Sequence, residues 1–170
     1  ISMTFHTGVD ITNPHPQKPL IFLMMARLLR DKGLHEFVEA ARRVKGSFPD
    51  VQFQLLGGRD ERNPSVVTQT ELDRWQAEGV ISYLGEVSDV RPILANADVV
   101  VLPSYREGLP RSLLEAAAIG KPIIATDVAG CREVVDNDVN GFLVPVKDAE
   151  SLARAMIRMI QTPKMCEQMG

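Results

Sequence analysis

Six short apolar runs, separated by segments with apolar residues at helical spacing, predict an α/β fold built on a parallel sheet. Most of the runs are continuously apolar instead of alternating with polar residues, the pattern of strands covered on both faces. Strand and helix signals also succeed one another from residue 20 to residue 160. Together these observations define a Rossmann-like, doubly wound parallel sheet of about six strands with helices on both faces.

The first strand is residues 20–26, Leu-Ile-Phe-Leu-Met-Met-Ala, bounded by Pro19 and Arg27 and too short for an isolated helix. A helix over 33–48 follows, because Leu34, Phe37, Val38, Ala41 and Val44 recur on one face while His35, Glu36, Glu39, Arg42, Arg43 and Lys45 take the other. Residues 51–56 form the second strand, ended by Gly57-Gly58. A polar loop over 59–64 leads to a helix over 65–77 and a short strand over 80–84. Residues 89–96 read as a short helix. The β-branched run Asp98-Val99-Val100-Val101-Leu102 is the clearest strand in the chain. A helix over 111–119 ends at Gly120, which suits the left-handed turn after a helix. A strand at 122–125, a short helix at 130–135, a strand at 141–144 and a helix at 148–160 capped by Asp148 complete the order.

With 45% hydrophobic and 24% charged residues, the chain has the composition of one domain with a full core. Its 19 basic and 22 acidic residues give a net charge of −3 and include no basic run of five or more. This argues against nucleic acid or anionic membrane as the main partner. Cys131 and Cys166 are far apart with no ligand pattern around them, so neither a disulfide framework nor a metal site is expected. No apolar stretch approaches the roughly 20 residues of a spanning helix, and no signal peptide opens the chain. The chain reads as cytoplasmic. Residues 1–19, with Pro14, Pro16 and Pro19 and no periodicity, read as a connecting segment. The domain proper is residues 20–162, and residues 163–170 read as a truncated tail. The ends suggest a domain excised from a longer protein.

Ligands of doubly wound sheets bind outside the carboxyl ends of the strands, so the residues just after each strand carry the functional signal. After the first strand, Arg27, Arg30 and Lys32 precede a helix whose free amides already favour an anion. Fixed cations there suit a diphosphate, and Gly33 permits close backbone approach; the alternative is a solvated loop. The fourth strand runs into Pro103-Ser104-Tyr105-Arg106-Glu107-Gly108-Leu109-Pro110-Arg111-Ser112-Leu113-Leu114-Glu115, the most specific stretch of the chain. Pro110 fits the first turn of a helix. The amides of 108–111 are left facing outward. Glu115, about five residues into the helix and roughly 7.5 Å along its axis, tilts back toward Glu107. Carboxylates accept paired hydrogen bonds from vicinal sugar hydroxyls, although either glutamate would also serve as a dipole or surface ion-pair partner. Gly57-Gly58-Arg59 is a glycine turn at a strand end, without the Gly-x-Gly-x-x-Gly fingerprint of dinucleotide folds. His35 reads as solvated, His6 and His15 lack metal partners, and Met156, Met159, Met165 and Met169 read as packing residues. No Ser/His/Asp or Cys/His constellation is present.

The segment LPSYREGLPRSLLEAAAIGKPIIATDVAGCREVVDNDVNGFLV, with a glutamate, seven residues and a second glutamate, resembles the nucleotide-sugar-binding half of retaining glycosyltransferases of the GT-B fold. That family includes bacterial mannosyl- and polysaccharide glycosyltransferases and sucrose synthases. TGVD at 7–10, ARLLRDKG at 26–33, YLGEV at 83–87 and NGFLV at 140–144 match its signatures in order, so the resemblance covers nearly the whole chain. It implies that Arg27 and Lys32 meet the donor diphosphate and that Glu107 holds the transferred sugar, making these three the catalytic set. Gly108, Leu109 and Pro110 would place their backbone against sugar and phosphate oxygens, and Glu115 would bind the ribose hydroxyls. Gly58 and Arg59 would border the nucleotide, and the strand end over 83–86 the base. Thr7 stands where many members have asparagine, and Gly57-Gly58-Arg59 where many have a Gly-x-Gly turn.

The implied donor is a UDP-, GDP- or ADP-sugar, with no cofactor and no metal. The family's N-terminal acceptor domain is absent from this chain, so the fragment would bind donor without catalysing transfer. The acceptor, a sugar, a lipid-linked sugar or a polysaccharide, would be met through that missing domain. The resemblance also allows peripheral association of the full-length protein with the inner face of a membrane. Two other readings stay open at this point: a GT-B-fold nucleotide-sugar epimerase, and a nucleotide-binding module that has lost its chemistry.

Overall fold

The structure is a computed structural model that describes residues 18–170. The TGVD motif, His6, His15 and all but the last two residues of the connecting segment lie outside the described residues.

Six parallel strands form one sheet: β1 (Ile21–Met25), β2 (Gln52–Leu56), β3 (Ser82–Tyr83), β4 (Val99–Leu102), β5 (Ile123–Thr126) and β6 (Gly141–Val144). Their order across the sheet is β3-β2-β1-β4-β5-β6. Alternate residues of β1 face opposite sides, and both sides are buried. Phe22 and Met24 pack beneath α1 (Leu34–Ser47), α2 (Gln69–Ala77) and α6 (Ala149–Gln161). Ile21, Leu23 and Met25 pack beneath α3 (Arg91–Asn96), α4 (Arg111–Ala118) and α5 (Ala129–Arg132). Two-sided burial is the reason β1 and β4, the central strands, are apolar at every position. Met156, Met159 and Met169 are buried in the first of these cores, as packing residues. Both cysteines are free and buried.

Three elements differ from the sequence expectation. The edge strand β3 keeps only two residues, because it has a partner on one side alone. The helix expected from residue 65 begins at Gln69. Residues ahead of it are drawn to the β1 loop instead, where Val66 bridges Leu29 and the Val67 amide donates to the Leu28 carbonyl at 2.9 Å. Residues 163–169, expected as a tail, form α7 (Pro163–Met169), whose Cys166 and Met169 are buried against the core. Among the described residues, no helix is long and apolar enough to cross a membrane.

The start of α2 is fixed by a capping box in which the Thr68 hydroxyl accepts from the Glu71 amide at 3.1 Å and the Glu71 carboxylate accepts from the Thr68 amide at 2.9 Å. Glu71 also pairs with Arg30 and with His35, each at 3.0 Å, and the His35 ring meets Trp75 edge-on. Burial alone would push the Glu71 carboxyl up, but the Thr68 amide, His35, the Thr68 hydroxyl and Arg30 outweigh it and hold its pKa at about 2, against 4.5 ordinarily. A lowered folded-state pKa contributes stability that is present above pH 4.5 and lost as the pH falls toward 2. Glu71→Gln is therefore expected to flatten the decline in urea-unfolding free energy between pH 5 and pH 3; an unchanged decline would show that Glu71 does not drive it.

Candidate functional site

The strand order reverses between β1 and β4, so the chain leaves these neighbouring strands toward opposite faces of the sheet, into α1 on one side and α4 on the other. Such a switch point leaves a crevice at the carboxyl ends of the strands. A cavity of about 520 Å³ lies there, floored by Met25, Ala26 and Leu102 and walled by Arg27, Lys32, Glu107, Pro110, Arg111 and Ser112.

Each wall is positioned by local chemistry. Lys32 ends a 3₁₀ turn, Arg30–Lys32, that Gly33 closes with φ +80. A Cβ at Gly33 would collide with the Pro103 carbonyl, so the β1 loop and the β4 loop touch where only glycine fits. The Asp31 carbonyl accepts from the Tyr105 amide at 2.8 Å and from the Ser104 hydroxyl at 3.3 Å. Tyr105 in turn donates its hydroxyl to Glu36 on α1 at 2.7 Å. Burial, followed by the Glu36 carboxylate, pushes the Tyr105 phenol up to about 12, so it remains a donor at any physiological pH. The two loops are thus tied into one unit. Across the junction the Lys32 ammonium donates to the Glu107 carboxylate at 2.6 Å, with only 20% and 11% of the two side chains exposed.

Behind Glu107, Gly130 of α5 supports the loop from below: a Cβ there would overlap the carbonyls of Glu107 and Gly108. The neighbouring Cys131 thiol is pushed up to about 11 by burial and by the Glu107 charge, with Thr126 and Lys32 acting in the opposite sense. It stays a neutral packing group. Gly108 and Leu109 are exposed at the loop tip. Pro110 occupies the cap position just before α4 instead of its first turn, and it offers no side-chain acceptor, so the first amides of α4 start uncapped beside the cavity. Arg27 and Arg111 are exposed at the rim. Two cations, an ion pair and a free helix start around one hollow are chemically suited to an anion bearing hydroxyl groups.

The structure brings Arg27, Lys32, Glu107 and Pro110 together as expected, and adds Arg111 and Ser112, which the sequence reading passed over. Five expected residues are not in its lining: Gly108 and Leu109 at the loop tip, and Glu115, Gly58 and Arg59 farther off. Glu115 does not line this cavity; it lies four residues beyond Arg111, about 6 Å along the helix, in a neighbouring apolar groove of about 580 Å³ between α3 and α4, with Leu94 and Ile119. Gly58 does not face the cavity either, because its open side is filled by the Glu86 carboxylate. Arg59 turns away: its guanidinium donates to the Val67 carbonyl at 3.1 Å and to Gln69 at 3.0 Å and pairs with Glu61. The double glycine serves packing, since a Cβ at Gly57 would overlap the Ala26 carbonyl.

A family model described as glycosyl transferases group 1 matches residues 10–170. The chain belongs to that family. Among its members, a curated Campylobacter jejuni relative named N,N'-diacetylbacillosaminyl-diphospho-undecaprenol alpha-1,3-N-acetylgalactosaminyltransferase is 40% identical over 149 residues, which cover 88% of this chain and 37% of that protein. A putative colanic acid biosynthesis glycosyltransferase of Escherichia coli is 36% identical over 169 residues, covering 91% of this chain and 41% of that protein. The chain thus spans about two fifths of these glycosyl transferases. Among solved structures, Anabaena HepE in complex with UDP superposes with a TM-score of 0.79 at 25% identity, covering 89% of this chain and 42% of that one. Sucrose-phosphate synthase of Thermosynechococcus elongatus gives 0.75 at 28% identity, covering 90% and 39%. The fold is the Rossmann-like domain of a GT-B glycosyltransferase.

Proposed function

We propose that this chain is the donor-binding domain of a nucleotide-sugar-dependent glycosyltransferase that transfers a hexose with retention at the anomeric carbon. The observation that carries this reading is the single cavity in which Arg27, Lys32 and the uncapped start of α4 face the same space as Glu107. The diphosphate of a UDP-, GDP- or ADP-sugar lies against the cations and amides, which stabilise the charge that develops on it as it leaves. Glu107 accepts hydrogen bonds from hydroxyls of the transferred sugar, with the backbone of Gly108, Leu109 and Pro110 alongside. The nucleoside runs along α4 so that Glu115 accepts from the ribose hydroxyls, and the larger groove beyond lies in its path. A UDP complex of a similar solved structure supports the nucleotide class.

The chain covers about two fifths of its curated relatives, so the acceptor site is assigned to the remainder of such a protein. Sugars, lipid-linked sugars and polysaccharides are the acceptors in this reading, and the full-length protein works in the cytoplasm or on the inner face of a membrane. No metal or cofactor takes part. This domain alone binds donor and does not transfer it, because half a cleft cannot position two substrates.

Calorimetric titration of the chain with UDP, GDP, ADP and their nucleosides tests the reading. Arg27→Ala is expected to weaken the bound diphosphate by about 1.5 kcal/mol, the lower end for a charge-assisted hydrogen bond at an exposed rim, and to leave the nucleoside unaffected. Equal losses for both ligands would place Arg27 away from the diphosphate.

A further inference from the structure

The distribution of unpaired cations is uneven. Among the described residues, ten of the 13 arginines lie within 4.0 Å of a carboxylate, and the exceptions are Arg27, Arg106 and Arg111. All three follow β1 or β4. Arg27 and Arg111 line the cavity between those strands, and Arg106 does not.

Arg111 also stands where helix electrostatics disfavour it. It is the first residue of α4, at the positive end of the helix dipole, with no acidic residue in that first turn to offset it. A residue that breaks a local rule without a compensating partner points to a ligand.

The charge balance of the cavity says which ligand. Its lining holds three cations, Arg27, Lys32 and Arg111, and one anion, Glu107. Lys32 and Glu107 are 2.6 Å apart and cancel. Arg27 and Arg111 are left, two positive charges. The diphosphate that joins a nucleoside to a sugar carries two negative charges, one on each phosphate. Without Arg111 the cavity would offer that group a single net charge.

We propose that Arg111 is a direct ligand of the donor diphosphate, its fork gripping phosphate oxygens beside the first amides of α4. The inference rests on the donor-binding reading above. A planar guanidinium fixes phosphate oxygens in two directions, which a lysine shared with a carboxylate does not.

The test is calorimetry of the full chain and of Arg27→Gln, Arg106→Gln, Arg111→Gln and Arg111→Lys, with UDP, GDP and ADP as probes beside uridine, guanosine and adenosine. Arg111 is exposed, and unchanged thermal melts would confirm that its variants fold. Arg111→Gln is expected to lower diphosphate affinity at least about tenfold, as loss of a charge-assisted contact does, with nucleoside affinity unchanged, a shallower salt dependence, partial recovery in Arg111→Lys and no effect of Arg106→Gln. If Arg111→Gln binds the diphosphate as tightly as the unaltered chain while Arg27→Gln loses it, Arg111 is not a ligand although the donor reading stands. If both variants retain full affinity, neither arginine holds the diphosphate and this inference falls; if none of the three diphosphates binds, the donor reading falls and this inference with it.

Discussion

Replacing Lys32 with methionine is expected to destabilise the fold by about 2–3 kcal/mol, more than the loss of any other single charge in the cavity. Lys32 and Glu107 are both largely buried and bonded at 2.6 Å. Removing one partner of such a pair leaves a desolvated charge without compensation, and that penalty exceeds what the intact pair contributes. Partial exposure places the cost below that of a fully buried pair. The same change turns a neutral pair into a bare carboxylate facing the proposed diphosphate, so nucleotide affinity falls as well. Adding Glu107→Gln to Lys32→Met removes the stranded charge and is expected to restore most of the stability. A urea-unfolding double-mutant cycle measures this directly. If Lys32→Met proves as stable as the parent chain, the pair is not the electrostatic centre of the site.

The second large effect is expected at Gly130. Alanine there drives a methyl group into the carbonyls of Glu107 and Gly108, and both sides of the clash are backbone, so no flexible side chain can give way. Overpacking of this kind costs about 1–3 kcal/mol. The loop must also shift outward, carrying the Glu107 carboxylate from Lys32. Gly130→Ala is therefore expected to lower the melting temperature and weaken nucleotide binding together. By contrast, Gly46→Ala has open space around the new methyl group and is expected to affect neither. Unchanged stability and binding in Gly130→Ala would mean that the loop is not supported from α5.

How far the sequence revealed these features depends on how local their causes are. The strands were legible because burial on both faces leaves uninterrupted apolar runs, as in Leu20 to Ala26, and the helix over α1 because its buried positions recur at the right spacing. The cations at Arg27 and Lys32 and the glutamate at Glu107 were legible because they follow directly on strands at the switch point. Arg59 and Gly58 stand off the cavity because what occupies them comes from afar: Val67 and Gln69 draw the guanidinium off, and Glu86 fills the space over the glycine. The start of α2 was missed by four residues because a bridge between Val66 and Leu29 competes with the helix. Gly130 carried no local signal at all, since its neighbour across the gap is 22 residues away in the chain. Arg111 did carry one, as a basic residue at a helix start where the dipole disfavours it.

The most direct measurement is a crystal structure of the chain with the tightest-binding nucleoside diphosphate. The account predicts the diphosphate in the cavity at the ends of β1 and β4, against Arg27, Arg111 and the first amides of α4, with the ribose directed toward Glu115. A nucleotide seated only in the groove between α3 and α4, with its phosphates away from Arg27 and Lys32, would contradict it.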